Sequence, residues 1–114
     1  MVHSEEYNGI EITLCEERTA KLWVTVTAYI KDGKLTIEGQ DLGDAPMTFF
    51  GTDEYEYYYF FDKDNTEKLL TEISLNVNDP ISELQQRFSG MTACRDLRAF
   101  CEKHGIKYRF DSYM

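Results

Sequence analysis

Aliphatic residues recur at every second position over residues 22–30 and again at 35 and 37, with Asp32-Gly33 between the two runs. Because successive side chains of a β-strand point to opposite faces, this pattern predicts two half-buried strands. Asp-Gly between such runs is typical of a type I′ hairpin, whose two central residues both need positive φ. The predicted register places six residues on one face, pairing Ile30 with Leu35, Ala28 with Ile37 and Val26 with Gly39.

Weaker alternation occurs towards both ends of the chain. Residues 10–14 predict a first strand that breaks over residues 16–19, and residues 106–110 predict a last strand. We expect the last strand to join the sheet at an edge or beside the hairpin.

The segment 53–64 contains six aromatic residues within seven positions, with carboxylates at both ends. Aromatic side chains favour strands because their rings pack well on a pleated surface. One face of this strand is predicted to enter the core and carries Tyr55, Tyr57, Tyr59 and Phe61. The other face changes from charged to aromatic and carries Glu54, Glu56, Tyr58 and Phe60.

Apolar residues recur at helical spacing in three later segments. The first helix is predicted to begin at a capping box formed by Asp64 and Glu67. Its predicted buried face consists of Leu69, Leu70, Ile73 and Val77.

Two further helices have clear start and stop signals. Asp79 and Pro80 suit the N-cap and first position of one helix, and Thr92 suits the N-cap of the next. Gly105 suits the left-handed C-cap of that last helix. The predicted buried residues of both helices are Ile81, Leu84, Phe88, Ala93, Cys94, Leu97, Phe100 and Cys101.

The resulting order is four strands, three helices and one strand, in a chain of one-domain length, 114 residues. This order predicts an α+β fold with a mostly antiparallel four- to five-stranded sheet and helices packed on one face. The connection over residues 41–54 is predicted to hold a short helical turn capped by Asp44.

The net charge of −9 is concentrated in residues 38–64, which hold eight carboxylates and one lysine. Nucleic-acid backbones and anionic membranes require basic surfaces, so neither is an expected partner. The N-terminus lacks the basic start and apolar run of a signal peptide, which predicts a cytoplasmic protein. Its general character suggests a bacterial source. An acidic segment favours a basic protein partner or simply solubility.

No cofactor or metal is predicted. The three cysteines are odd in number, and with no signal peptide they are expected to be free. Residues 62–66 begin like a calcium loop, but Glu67 and Ile73 occupy the positions where that motif needs Gly and Glu. Cys101 and His104 lie one helical turn apart, yet a zinc site needs further ligands.

Three stretches, DGKLTIEGQDLG (32–43), EYEYYYFFD (54–62) and GIKYRFDSY (105–113), resemble those of small uncharacterised bacterial proteins. The resemblance covers most of the chain and implies no known activity. In size and acidity the chain is also similar to immunity proteins that neutralise basic bacterial toxins, a likeness of character rather than of motif.

The leading hypothesis is a non-enzymatic protein-binding module for a basic partner, with an immunity-type inhibitor as one form of it. The residues assigned to partner binding are Asp41, Asp44, Glu54, Glu56 and Tyr58. One alternative is a carbohydrate- or small-ligand-binding protein, or a weak hydrolase that uses Glu54 and Glu56 as acid and base. Another is a homo-oligomer that associates through an open sheet edge or the C-terminal Tyr113-Met114.

Overall fold

The computed structural model describes residues 1–43, 54–76 and 79–113. Within them lies one antiparallel sheet, whose strands follow one another in chain order: β1 (Glu11–Arg18), β2 (Leu22–Lys31), β3 (Lys34–Gly43), β4 (Glu54–Phe60) and β5 (Arg109–Tyr113). Three α-helices connect β4 to β5: α1 (Lys63–Ile73), α2 (Pro80–Arg87) and α3 (Ala93–His104). Short 3₁₀ turns cover Ser4–Tyr7 and Gly90–Thr92. The predicted α+β order is confirmed.

The hairpin of β2 and β3 forms in the predicted register. Ile30 lies opposite Leu35, Ala28 opposite Ile37 and Val26 opposite Gly39. Asp32 and Gly33 have φ values of +53° and +75°, as a type I′ turn requires. Val24, Val26, Ala28, Ile30, Leu35 and Ile37 on this face are buried in the core, and Leu22 packs against it.

The aromatic strand β4 presents the predicted face to the core. Tyr59 and Phe61 are each 2% exposed, and Tyr57 packs against the same cluster. The Tyr57 ring lies over Gly39 of β3, where a Cβ atom would come within 2.0 Å of the ring. Glycine at this position therefore makes room for an aromatic side chain on the neighbouring strand.

The predicted break over residues 16–19 is wrong for most of its length, since β1 continues to Arg18. A β-bulge between Thr13 and Cys15 shifts the register against β2. As a result Leu14 and Cys15 are both buried, which interrupts the alternation without ending the strand. The polar residues after the bulge stay paired with β2 while exposed to solvent.

The last strand lies at the sheet edge beside β4, but it spans residues 109–113 rather than 106–110. Ile106 is buried in the core directly after the left-handed Gly105, whose φ is +65°. The backbone N–H of Lys107 donates to Asn65 Oδ1 at 2.9 Å. Residues 106–108 thus cross from α3 to the sheet and pack there without strand pairing.

The N-cap of α1 is Asp62, and the predicted capping box of Asp64 with Glu67 is wrong. Asp62 Oδ1 accepts from the backbone N–H of Asn65 at 2.8 Å and from its side-chain amide at 3.0 Å. Glu67 instead accepts from the backbone N–H of Ser4 at 2.9 Å, which ties the N-terminal segment to α1. Asp62 and Asp64 both lie at the start of the helix, and Asp62 is the one that caps it.

The other helix signals mostly hold. Asp79 caps α2 by accepting from the N–H groups of Ile81 and Ser82, with Pro80 in the first position. Thr92 occupies the N-cap position of α3, but its hydroxyl bonds to Asp96 rather than to the helix backbone. Val77 and the turn proposed at Asp44 lie outside the described residues. No helix among the described residues is long and apolar enough to cross a bilayer.

We expect Asp62→Ala to lower the free energy of unfolding by about 1 kcal/mol, because two hydrogen bonds at the start of α1 are lost. The matched control is Asp64→Ala, which removes the same charge but no cap and should cost roughly 0.3 kcal/mol. Urea denaturation at neutral pH measures both values. Equal effects of the two substitutions would contradict the assignment of the cap.

The effect of Asp62→Ala should also depend on pH. The bonds from Asn65 lower the pKa of Asp62, so its contribution is present above its unfolded-state pKa and disappears as the pH falls through the lowered value. The gap between variant and wild type should narrow at acidic pH.

Candidate functional site

The two faces of the sheet differ in what they contact. The helices pack on the face that contains the core, where Arg98 of α3 donates to the Tyr59 hydroxyl at 2.7 Å and Leu35 donates its N–H to Thr66 of α1 at 2.9 Å. We call the opposite face the outer face. By strand register and alternation it carries Glu11, Thr13, Glu16, Arg18, Trp23, Thr25, Thr27, Tyr29, Thr36, Glu38, Gln40, Leu42, Glu54, Glu56, Tyr58, Phe60, Arg109, Asp111 and Tyr113.

Three carboxylates gather on the outer face around Tyr58, and we call Glu38, Glu54 and Glu56 the acidic cluster. Glu38 lies directly opposite Tyr58 on the neighbouring strand, and Glu56 lies opposite Gln40. The Tyr58 hydroxyl donates to Glu56 Oε2 at 3.4 Å. The Gln40 amide donates to Glu54 Oε1 at 2.9 Å. The cluster is therefore organised by pairing between β3 and β4.

The acidic cluster raises the pKa of Glu56 and of the neighbouring Tyr58. A hydrogen bond with Glu54 is the main cause of the raised pKa of Glu56, followed by reduced contact with water and the negative charges of Glu54 and Glu38. Burial and the same carboxylates, Glu38 and Glu56, raise the pKa of Tyr58 to about 12. Like charges held this close repel one another. A positively charged group placed here would relieve that repulsion.

Aromatic rings flank the acidic cluster on the same face. Tyr58 stacks on Phe60, with ring centres 5.7 Å apart, and meets the edge of Tyr113 at 5.7 Å. Tyr113 is 57% exposed, and Trp23, further along the face, is 37% exposed. Large exposed aromatic side chains offer apolar contact area next to the carboxylates.

The structure divides the predicted partner-binding residues between two faces. Glu54, Glu56 and Tyr58 lie together on the outer face, whereas Asp41 pairs with Tyr55 and lies on the helix-bearing side. Asp44 is outside the described residues. Asp41 and Glu54 sit one position out of phase across the β3–β4 pair, and this is enough to send their side chains to opposite faces.

Glu38, Trp23 and Tyr113 contribute to this surface but were not among the predicted partner-binding residues. Glu38 and Trp23 could have been assigned from the hairpin register, since both alternate with its buried residues. Tyr113 could not, because its place beside Tyr58 depends on where β5 joins the sheet.

On the helix-bearing side, Asp41 borders a cleft of about 250 Å³. The Tyr57 hydroxyl donates to Asp41 Oδ1 at 3.2 Å. Burial raises the pKa of Asp41, and the bond from Tyr57 partly opposes that shift. The other residues lining the cleft are Tyr55, Tyr57, Tyr59, Met91, Cys94, Arg95, Arg98 and Phe110.

The cysteines carry no activated thiol. Burial raises the pKa of Cys94 to about 11 and that of Cys101 to about 12, so both remain protonated near neutral pH. Cys15 is buried, and its pKa is raised chiefly for the same reason. All three are free thiols. A reactive cysteine would need the opposite shift.

Within residues 1–43, 54–76 and 79–113, no group of three or more His, Cys, Asp or Glu side chains is arranged to hold a metal ion. Residues 62–66, which begin like a calcium loop, instead form the start of α1, where Asp62 accepts a hydrogen bond from Asn65 as the helix cap. The acidic cluster therefore offers charge and hydrogen-bond acceptors on a sheet surface.

Comparison with known proteins adds no relative. The chain matches no protein-family model, no curated protein sequence and no solved structure. Its function has to be argued from the surface just described.

We expect Glu54→Gln to lower the pKa of Glu56, because the main cause of its raised value is removed. An NMR titration of the side-chain carboxyl resonances measures the shift. Glu17→Gln is the matched control. It removes an equal charge from β1 on the helix-bearing side of the sheet, away from the acidic cluster, and should leave the pKa of Glu56 unchanged. An unchanged pKa in Glu54→Gln would show that the two carboxylates do not interact.

We expect Tyr57→Phe to raise the pKa of Asp41 further, because the bond that opposes the effect of burial is lost. The free energy of unfolding should fall by about 1 kcal/mol at neutral pH. The loss should be smaller below the pKa of Asp41, where the carboxyl is protonated. Titration and urea denaturation test this, and Tyr29→Phe on the outer face is the control.

Proposed function

We propose that this protein is a non-enzymatic binding module whose outer face, centred on the acidic cluster, binds a basic partner protein. The observation that carries the proposal is the convergence of Glu38, Glu54 and Glu56 around Tyr58 on one sheet surface. Complementary charge steers association, and tyrosine and tryptophan are enriched at the centres of interfaces.

Electrostatic repulsion within the acidic cluster supports a cationic occupant. The raised pKa of Glu56 means that its ionised form is disfavoured in the free protein. An arginine or lysine from a partner would favour the ionised form and form charge-assisted hydrogen bonds with the carboxylates. Binding should therefore weaken as the pH falls through the pKa of Glu56.

The outer face also has a direction. Glu54 and Glu56 lie at the end of β4 furthest from the hairpin turn, while Lys31 and Lys34 face each other at the turn itself. Arg109 pairs with Phe60, at the end of β4 that lies closer to the hairpin turn. An approaching basic protein would be attracted to one end and repelled from the other, which would orient it on the sheet.

An inhibitor that neutralises a basic toxin belongs to this class of binding module, and the size and acidity of the chain support that version.

A hydrolase is less well supported. Glycosidases hold their two carboxyl groups about 5 Å or more apart around the scissile bond. Glu54 and Glu56 instead project from one strand of an open sheet surface, where Gln40 donates to Glu54 and Tyr58 donates to Glu56.

The proposal can be tested by affinity capture from an extract of the source cell with two charge-matched variants. One neutralises the acidic cluster by Glu38→Gln, Glu54→Gln and Glu56→Gln. The control carries Glu6→Gln, Glu17→Gln and Glu102→Gln, three exposed carboxylates away from the outer face. We expect wild type and control to retain basic proteins that salt releases, and the cluster variant to lose them.

Because both variants lose the same charge, a general acidic effect would weaken them equally. If the cluster variant retained the same proteins as wild type, the outer face would not be the binding surface. If wild type retained no basic protein at low salt, the proposed function itself would be rejected.

A further inference from the structure

The two edge strands of the sheet, β1 and β5, differ in how far they are protected from pairing with another chain. At the β1 edge, a bulge interrupts the strand, and the Gln85 side chain of α2 donates to the outward carbonyl of Thr13 at 3.0 Å. Bulges and side-chain cover are common ways to prevent an edge strand from pairing with another chain. β5 has neither a bulge nor a proline in its span of residues 109–113.

Main-chain hydrogen bonding shows which groups of β5 face outward. In an antiparallel sheet, alternate residues of a strand bond to opposite neighbours. Phe61 donates its N–H to Leu35 of β3 at 2.9 Å, so the odd-numbered residues of β4 bond towards β3. The even-numbered residues bond towards β5, opposite Arg109, Asp111 and Tyr113.

It follows that the backbone N–H and C=O groups of Phe110 and Ser112 point away from the sheet. In the described part of the chain, no side chain bonds to them as Gln85 bonds to Thr13. The Phe110 side chain is 46% exposed beside this edge. Among the described residues nothing covers this edge, so β5 presents a short row of donors and acceptors with an apolar ring next to it.

We propose that β5 pairs antiparallel with β5 of a second copy of this chain, with the two-fold axis at Phe110. In this register the outward groups of the two Phe110 residues exchange two hydrogen bonds. Arg109 of each copy lies opposite Asp111 of the other, on the outer face. The strand is therefore complementary in charge to itself.

Charge decides between the possible registers. Centring the pair on Asp111 would place two carboxylates directly opposite each other, and like charges in that position are destabilising. Centring it on Ser112 would set Asp111 opposite Tyr113 and form no ion pair. Within one chain Arg109 already contacts Asp111 at 3.4 Å, so both side chains are on the correct face.

The pairing would join the two sheets into one ten-stranded sheet. Tyr58 and Asp111 are opposite each other in β4 and β5, so both acidic clusters would lie on the same continuous outer face. A basic partner with two matching surfaces could then engage both copies, which raises apparent affinity without any new contact. The dimer does not depend on the proposed function.

Charge reversal tests the register. Sedimentation velocity over a range of concentrations should show wild type in a monomer–dimer equilibrium. Arg109→Asp and Asp111→Arg should each raise the dimer dissociation constant by about tenfold or more, because each sets like charges opposite one another. The double variant restores opposite charges and should return the constant to near the wild-type value.

Cysteine cross-linking tests the same register independently. Phe110→Cys should form a disulfide-linked dimer under mild oxidation, since residues on the two-fold axis have Cα atoms about 5.5 Å apart. Ser112→Cys should not, because its two copies would be separated by about four residues of extended chain. Both are made in a Cys94→Ala background, since Cys94 lines the same cleft as Phe110.

Ser112→Pro provides a further check, because it removes an outward N–H and leaves the bonds between β4 and β5 intact. We expect it to weaken the dimer without loss of the fold by circular dichroism. A wild-type chain that stays monomeric at every concentration, or a double charge variant that remains as weak as the single ones, would overturn the proposal. Cross-linking by Ser112→Cys but not Phe110→Cys would reject the Phe110 register.

Discussion

The burial of Tyr59 from β4 and of Phe61, the residue directly after it, sets the arrangement of most of the molecule. The two rings lie in the core and contact Tyr108, and Tyr59 also contacts Phe110 and accepts a hydrogen bond from Arg98 of α3. These contacts join β4, β5 and the last helix. A slip of one residue would turn Tyr58 and Phe60 inward and expose the core aromatics.

The same register places Glu54, Glu56 and Tyr58 on the outer face. Burial of the aromatic residues on one face of β4 therefore fixes the position of the carboxylates on the other. Alternation allows one strand to serve both purposes, because neighbouring residues face opposite sides of the sheet. Repulsion among the carboxylates slightly destabilises the folded protein. The core contacts on the other side of the sheet hold the carboxylates in place despite this repulsion. Unfavourable local arrangements of this kind are typical of functional surfaces, which supports the binding role proposed above.

The edges of the sheet add a second distinction. β1 is bulged and bonded by α2, whereas β5 arrives after three helices and remains at the border. Its alternating Arg109 and Asp111 could be regarded as charges that discourage pairing. Their order along the strand makes them complementary to an antiparallel copy, so in the dimer proposed above the same two charges would select one register.

Local sequence determined the hairpin, the core face of the aromatic strand, three helices and the α+β order, because each depends on alternation, helical spacing or a turn that nearby residues specify. It did not determine the bulge in β1, since a bulge appears in the sequence only as a lapse in alternation. The sequence also left the cap of α1 ambiguous, because Asp62 and Asp64 both suit an N-cap position, and the structure places Asp62 there.

The candidate surface shows the same division. Glu54, Glu56 and Tyr58 could be grouped from one strand, because their spacing alone puts them on one face. That Asp41 lies on the other face, and that Tyr113 joins the surface, depended on how β3 and β5 pair with β4. Strand pairing brings together residues far apart in the chain, and a single residue of register decides which side each one faces.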